Sequence, residues 1–348
     1  MSRLFFIPNK FRIYIPIFLF FLAMIATLNI AQLREQNIDS SQETGSERIA
    51  LAAEPVTPIP LQIELDQGKV ALGDRLFHDP ILSSNDTVSC ATCHNIAQGG
   101  TDGLVFSEGM LGANTGLNSP TVFNSAFHFR LNWDGRAETL EEQIEGPIAA
   151  EKEMGGMSWS EILDKLEQSP EYATAFNENY ETGITSDNVK DAIAVFQHSL
   201  YTPNAPFDQY LRGDEDAISN RAKEGYKLFK SYGCVTCHQG MLVGGNMFQT
   251  LGVFGDYFAD RGGNITKADL GRYNVTKDDL DRHVFKVPSL RNITLTSPYF
   301  HDGNPQTLDQ AIKLMGKYQL GVDIPQSDVD LIMHFLRSLE GEYNGKPL

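Results

Sequence analysis

The sequence predicts a mostly α fold with long loops, divided into two domains. Apolar residues recur at helical spacing in several capped segments, whereas sustained strand alternation is absent. The pattern Cys-x-x-Cys-His occurs twice, at residues 90–94 and 234–238, in surroundings that otherwise differ. We therefore expect one domain around each copy, over residues 61–203 and 204–348, joined at the turn-prone stretch YTPNAPFDQYLRGDED.

Four helices are predicted from capping residues and apolar periodicity. The capping residues are Ser158 before WSEILDKLEQS, Ser186 before DNVKDAIAVFQHSLY, Thr307 in TLDQAIKLMGKYQ, and Ser327 with Asp330 at the start of the last helix. Gly341 is expected to end that last helix. These segments support the mostly α class.

The two Cys-x-x-Cys-His copies use all the cysteines of the chain, namely Cys90, Cys93, Cys234 and Cys237. This pattern attaches a c-type haem: both thiols bind the haem covalently, and the following histidine ligates the iron. We assign His94 and His238 as proximal ligands of two haems, which makes both domains cytochrome c-like haem domains. A zinc site built from all four thiolates would leave both histidines unexplained, and a thioredoxin-like pair needs a βαβ context that neither flank shows.

Residues 1–31 are predicted to be a membrane-targeting segment. Arg3, Lys10 and Arg12 precede an uncharged apolar run over residues 13–31. The run is long for a cleaved signal peptide, close to bilayer-spanning length and without a clear Ala-x-Ala site, so signal peptide and membrane anchor both stay open. Residues 32–60 are polar and are expected to form a disordered tether. Either way the globular part is exported, which predicts a periplasmic protein, soluble or tethered to the inner membrane.

The chain is acidic, with a formal net charge of −17 at pH 7. This charge argues against a nucleic acid partner, because binding phosphates requires a basic surface. It fits docking of a basic electron-carrier protein, and a merely solvated acidic surface accounts for it equally well.

From residue 76 to the last helix, the chain resembles the bacterial dihaem cytochrome c peroxidase family. The stretches that carry the resemblance are LFHDPILS, SCATCHN, NSPTVFNSAF, NWDGRAETLEEQ, GPIAAEKEM, GCVTCHQG, FKVPSLRN, and TSPYFHDG followed by AIKLMG. The resemblance implies that hydrogen peroxide reacts at the N-terminal haem. It also implies that the C-terminal haem takes electrons from a small cytochrome c or cupredoxin and passes them on.

The resemblance assigns roles to three residues around the C-terminal haem. Met315 matches the sixth ligand, where a thioether would raise the haem potential. From the residues alone, Met315 also continues an ordinary core stripe with Leu308, Ala311 and Ile312. Trp133 matches the ring between the two haems on the electron path, and His301 matches a histidine beside the C-terminal haem.

Glu153 and Gln143 match the polar residues over the reactive haem. A carboxylate there can take a proton from one peroxide oxygen and return it to the other, whereas an amide can only hold the peroxide. By spacing alone four other glutamates are equally plausible, namely Glu141, Glu142, Glu145 and Glu151. A solvated surface position is also ordinary for any glutamate.

The resemblance further implies a calcium site between the domains. Its ligands would be Asn118 and the backbone oxygens of Thr296 and Pro298. Ligation by oxygen alone suits a hard cation such as Ca²⁺.

The glycine-rich segment over residues 96–118 departs from the family pattern. Its six glycines leave its backbone free to move as a lid. Many family members carry a histidine here that blocks the first haem until the other is reduced, whereas this chain has Met110 at the matching place. Met110 either ligates as a weaker block or points elsewhere and leaves the iron open. His128 is a substitute ligand in principle, but packing is its expected role.

The leading prediction is a peroxidase that reduces hydrogen peroxide to water. One alternative is the branch of the family that oxidises a partner protein, as in methylamine-dehydrogenase maturation, although that branch has tyrosine where Met315 stands. The other alternative is a dihaem electron carrier without catalysis, which predicts strong sixth ligands on both irons. The sequence leaves a homodimer open.

Overall fold

Two packed helix pairs organise the fold, one in each half of the chain. The computed structural model describes residues 54–348. Its α-helices are α1 (Gln67–His78), α2 (Cys90–Cys93), α3 (Leu140–Ala149), α4 (Trp159–Glu167), α5 (Pro170–Asn179), α6 (Ser186–Ser199), α7 (Pro206–Leu211), α8 (Asn220–Ser231), α9 (Tyr257–Arg261), α10 (Tyr273–Thr276), α11 (Leu308–Met315) and α12 (Gln326–Arg337). Short 3₁₀ turns lie at Pro80–Leu82, Ile96–Gln98, Met110–Gly112, Ser125–Phe127, Cys234–Thr236, Ala268–Leu270, Asp279–Asp281 and Ile293–Leu295, and a π-helical turn, Gly316–Leu320, follows α11.

The four strands of the described region are short. They form two antiparallel pairs: β1 (Phe248–Thr250) with β2 (Val284–Lys286), and β3 (Glu342–Tyr343) with β4 (Lys346–Pro347). In the first pair Phe248 lies opposite Lys286. The prediction of a mostly α fold with long loops is confirmed.

Each helix pair is held close by a glycine. A Cβ atom at Gly73 of α1 would lie 1.9 Å from the backbone oxygen of Ala192 in α6. A Cβ atom at Gly225 of α8 would lie 1.9 Å from the backbone oxygen of Leu331 in α12. Only glycine allows backbones to approach this closely, so both halves use the same device to bring two helices into contact.

Two large apolar cores surround these helix pairs. The N-terminal core draws on residues 72–200 and includes Phe77 and Phe176, which are fully buried. The C-terminal core draws mainly on residues 207–339 and includes Phe207 and Phe335, whose rings lie 5.0 Å apart. Burial of each such side chain contributes about 1.5–3 kcal/mol.

The two ends of the described chain cross over to the opposite core. Val56 is buried in the C-terminal core, and the Gly240 backbone N–H donates to Pro55 O across 2.7 Å. Tyr343 and Leu348 pack against the N-terminal core, where Tyr343 meets Phe123 edge-to-face. Ordered packing therefore begins ahead of residue 61, within the stretch expected to be a tether.

Two of the four predicted N-terminal capping residues are found at the start of their helices. Ser158 caps α4 with Glu161 as its capping-box partner, and Thr307 caps α11 with Gln310. Thr185, one residue ahead of the predicted Ser186, caps α6, because its hydroxyl accepts the Asn188 backbone N–H at 3.1 Å.

The predicted start and end of the last helix are wrong. Residues Ser327 and Asp330 lie inside α12, which begins at Gln326 after Pro325, where no side chain caps it. The helix ends at Arg337, ahead of Gly341. Gly341 is needed for a different reason, since a Cβ atom there would lie 2.3 Å from the backbone oxygen of Thr202.

The targeting segment 1–31 and most of the expected tether lie outside the described residues. Within residues 54–348, no helix combines the length and apolar character needed to cross a membrane.

Candidate active site

The first Cys-x-x-Cys-His copy forms a short helix at the wall of a cavity. Its helix, α2, follows the N-cap residue Ser89, whose backbone N–H donates to Thr92 Oγ1 at 3.0 Å. Cys90, Cys93 and His94 all line this cavity, which is mainly apolar and partly open to solvent. Concave, mostly apolar sites with a few polar groups are the usual form of a cofactor site, and here both thiols face one.

Both motif histidines are oriented by the same kind of hydrogen bond. His94 Nδ1 donates to Gly100 O at 3.3 Å, and His238 Nδ1 donates to Val243 O at 3.2 Å. Such a bond fixes the tautomer and leaves Nε2 free to ligate a metal. Burial lowers the pKa of His94 and brings the pKa of His238 down to about 4, so both imidazoles are neutral at pH 7. These are the properties that a haem-iron ligand needs.

The four cysteines are free thiols. Burial raises the pKa of Cys90 to about 12 and those of Cys93 and Cys234 to about 11. Within residues 54–348, the one group of three or more potential metal ligands that lie close together is Asp269, His301 and Asp302, which includes no cysteine. The two cysteine pairs therefore do not form a shared zinc site, and they fit two separate haems.

Of the five glutamates between residues 141 and 153, Glu153 alone lines the cavity. Burial raises its pKa, and the positive charge of Arg136, which also lines the cavity, partly opposes that effect. Gln143, on α3, lines the same cavity. The structure thus brings Glu153 and Gln143 together around the space next to His94.

The remaining glutamates face other partners or solvent. Glu145 forms an ion pair with Lys190 at 2.8 Å and accepts the Trp159 indole N–H at 2.7 Å. Glu142 accepts the backbone N–H of Glu138, and Glu151 is exposed. Trp159 packs against the N-terminal core and is held there by its hydrogen bond to Glu145.

Trp133 lies between the cavity and a second cleft, because it lines both. Its indole N–H donates to Asn118 O at 2.9 Å, and its backbone oxygen accepts the Lys286 N–H at 2.9 Å. Its ring meets that of His301 edge-to-face, with centroids 6.4 Å apart. These contacts fix Trp133 between the residues of the two halves.

Met315 stands apart from the core stripe with which it shares a helix. Leu308, Ala311 and Ile312 are buried in the C-terminal core. Met315 is half-buried at the end of α11 and belongs to none of the apolar clusters of the described region. A thioether that does not pack in the core is available for ligation.

His301 is buried in a charged network. Its Nε2 lies 2.8 Å from Asp269 Oδ1, and its ring stacks on Phe285 with centroids 4.4 Å apart. Arg261 donates to Asp269 at 2.7 Å and to Asp302 at 2.8 Å. Burial would raise the pKa of Asp269, but hydrogen bonds from His301, Arg261 and Thr266 outweigh burial and hold that pKa well below its usual range.

Asn118 is buried where the two halves meet. Its side-chain amide donates to Leu104 O at 2.8 Å, and its backbone N–H donates to His301 O at 2.9 Å. The segment around Gly99 and Gly103 lies against Leu295 and Ser297, next to Thr296 and Pro298 in the chain. The three residues expected to bind calcium thus belong to segments at one junction.

Met110 does not line the cavity. It packs against the N-terminal core, and its Cε lies 3.4 Å from the position of a Cβ atom on Gly155. His128 Nδ1 lies 3.2 Å from Lys286 Nζ, and burial and the Lys286 charge put its pKa well below the usual range. In this structure Met110 points elsewhere, and His128 has a lysine as its neighbour.

Sequence reasoning missed Asp269, Arg261, Arg136 and Lys286 as site residues. Asp269 and Arg261 lie outside every motif and meet His301 only through the fold. Lys286 carried a detectable signal, because it is the one charged residue in the run VFKVPSL. A lysine in an apolar strand usually has a specific partner.

The model of the family described as di-haem cytochrome c peroxidase matches residues 67–216. The chain is 51% identical over 290 residues to cytochrome c peroxidase Ccp of Escherichia coli (strain K12). The aligned region covers 83% of this chain but only 62% of that protein. It is 42% identical over 300 residues to cytochrome c551 peroxidase of Nitrosomonas europaea, covering 86% of this chain and 87% of that protein.

A solved structure gives the same result for the fold. A MauG-like protein associated with microbial copper homeostasis matches with a TM-score of 0.69 and 28% identity, over 82% of this chain and 93% of that chain. Motifs and relatives agree, and this chain belongs to the di-haem cytochrome c peroxidase family.

Proposed function

We propose that this protein reduces hydrogen peroxide to two molecules of water in the periplasm, using two protons and two electrons from a small cytochrome c or cupredoxin. The observation that carries the proposal is the placement of Glu153, with a raised pKa, in the cavity that Cys90, Cys93 and His94 line. When bound, the two haems supply the iron that binds peroxide and the electrons that reduce it.

Glu153 moves the protons in this proposal. Its carboxylate would take a proton from one peroxide oxygen and return it to the other, so that the O–O bond breaks and the second oxygen leaves as water. The remaining oxygen becomes the second water by taking up two protons from solvent and the two electrons. A carboxyl whose pKa is raised towards the working pH can both accept and release a proton.

Gln143 and Arg136 orient the substrate. The Gln143 amide can donate a hydrogen bond to peroxide but cannot carry a proton. The Arg136 guanidinium lines the same cavity and lies close enough to Glu153 to lower its pKa. This charge favours the ionised form of Glu153 that must accept the first proton.

Electrons enter through the C-terminal half. His238 and Met315 would hold that haem, since His238 keeps its Nε2 free and Met315 is excluded from the core. A thioether ligand raises the potential of a haem, as an electron-accepting haem requires. Trp133 then connects the two sites, because it lines the peroxide cavity and lies against His301.

A calcium ion at the junction of the halves is part of the proposal. Asn118 and the backbone oxygens of Thr296 and Pro298 would be the ligands. Support comes from the burial of Asn118 and from the close packing of residues 99–103 against residues 295–297. Oxygen ligands alone suit Ca²⁺.

Stopped-flow reaction with hydrogen peroxide tests the function. It is run on the fully oxidised protein and again after only the high-potential haem has been reduced. Glu153→Gln should slow the reaction by about 10²–10⁴-fold. Glu151→Gln, two residues away on the exposed surface, is the matched control and should react at the wild-type rate. Absence of reaction in both redox states would contradict the proposal and favour an electron carrier.

A further inference from the structure

Lys286 carries a positive charge into the interior of the C-terminal half. The residue is only 8% exposed and lies at the end of β2. Its Nζ lies 3.2 Å from His128 Nδ1, and no carboxylate of residues 54–348 lies within ion-pair distance of it. A buried ammonium group without an anion is costly, so Lys286 requires a partner that the polypeptide of this region does not supply.

His128 does not neutralise this charge. Burial and the neighbouring Lys286 keep its pKa well below the usual range, so its imidazole is neutral. Its Nδ1 therefore accepts a hydrogen bond from the Lys286 ammonium group and orients it. Burial lowers the pKa of Lys286 to about 8, which leaves the amine mostly protonated at pH 7.

The Lys286–His128 pair lies next to the second proximal histidine. A Cβ atom on Gly245 would lie 2.6 Å from His128 Nδ1, and a Cβ atom on Gly244 would lie 3.3 Å from His238 Nδ1. Neither Lys286 nor His128 lines the cavity beside His94. The charge of Lys286 thus lies beside the C-terminal haem site. A c-type haem carries two propionate carboxylates, either of which could be the missing anion.

We propose that Lys286 and His128 form the carboxylate-binding corner of the C-terminal haem site, in which the Lys286 ammonium group binds a haem propionate and His128 holds the ammonium group in place. The cation favours the reduced haem, which carries one positive charge less than the oxidised form. Lys286 also donates its backbone N–H to Trp133 O, so the same residue joins this corner to Trp133. The inference depends on a haem at residues 234–238 and not on the peroxide reaction.

Redox titration of the haem-loaded protein tests this inference. Lys286→Met removes the charge at similar volume, and Lys286→Arg keeps it. Lys267→Met, at an exposed lysine of the same half, is the control. Because the haems are attached through cysteines, loss of a propionate contact does not release them. Each haem is followed separately by its absorption spectrum.

For Lys286→Met we expect the reduction equilibrium constant of the C-terminal haem to fall by about tenfold or more, which is about 59 mV for one electron. Lys286→Arg and Lys267→Met should stay close to the wild type, and the N-terminal haem should not respond. Unchanged C-terminal potential in Lys286→Met would overturn the inference. So would equal shifts in the Met and Arg variants, or a shift confined to the N-terminal haem.

If Lys286→Met fails to fold, a second variant replaces it in the test. Lys286→Gln keeps a hydrogen-bond donor for His128 without a charge, and the same criteria apply to it. Failure of the peroxidase proposal would appear as absent turnover with these potentials unaffected, so the two failures are distinguishable.

Discussion

Trp133 and His301 are fixed to each other through Asn118, which accepts the indole N–H of Trp133 on its backbone oxygen and donates its backbone N–H to the backbone oxygen of His301. The two rings meet edge-to-face at 6.4 Å. The aromatic ring between the two proposed haem sites is therefore held by main-chain atoms of one segment, and its position does not depend on a mobile side chain.

Substitution of Trp133 should separate electron transfer from peroxide chemistry. Trp133→Phe removes the hydrogen bond to Asn118 and part of the ring but keeps an aromatic side chain. We expect slower electron transfer from the C-terminal to the N-terminal haem, with both haems attached and the first peroxide encounter unchanged. Flash or stopped-flow reduction followed at both haems measures this. Trp159→Phe is the control, and equal slowing there would contradict the role of Trp133.

Met110 should not act as a lock on the N-terminal haem. Its side chain packs against the core and Gly155, so Met110→Ala should cost about 2 kcal/mol or less in stability without changing access to the cavity. The spectrum of the oxidised protein and its peroxide rate should match the wild type. A variant that gains peroxide reactivity in the fully oxidised state would show that Met110 had been blocking the iron.

Gly225→Ala should destabilise the C-terminal half. The added methyl group would lie 1.9 Å from Leu331 O, which forces α8 and α12 apart and costs about 1–3 kcal/mol as overpacking. Gly146→Ala is the control, because this helical glycine has only the end of the Arg136 side chain nearby and alanine favours helix by about 1 kcal/mol. Chemical denaturation should move the two variants in opposite directions.

Asp269 should contribute stability that depends on pH. Its pKa in the folded protein is held below the unfolded value of about 3.9, so the contribution is present above about pH 4 and is lost as the pH falls further. Asp269→Asn leaves Arg261 and His301 short of a charged partner and should cost about 3–5 kcal/mol at neutral pH. The difference in melting temperature between wild type and variant should therefore be constant above about pH 4 and become steadily smaller as the pH falls below 4. Parallel curves would contradict this role.

The chemistry-bearing residues could be predicted where a motif or a family pattern marks them. The Cys-x-x-Cys-His copies predict His94 and His238 as proximal haem ligands, and the structure adds the backbone oxygens that orient both rings. Glu153 could not be separated from its neighbours by spacing, because only the turn after α3 decides which carboxylate faces the cavity. Asp269 and Arg261 could not be predicted as site residues from the sequence, because they meet His301 only through contacts between segments that are distant in the chain. The start of α12 was missed because Pro325 sets it without a capping side chain.

The crossed ends of the chain make the two halves mutually dependent. Residues near Val56 complete the core that the second half builds, and residues 343–348 close over the core of the first half. If the chain were cut near residue 203, the N-terminal fragment would keep Val56 but lack residues 343–348, which cover its core. The C-terminal fragment would keep residues 343–348 but lack Val56. Apolar surface would therefore be exposed on both fragments. During synthesis, the first core, with Cys90 at its edge, therefore stays incomplete until residues 343–348 have been made.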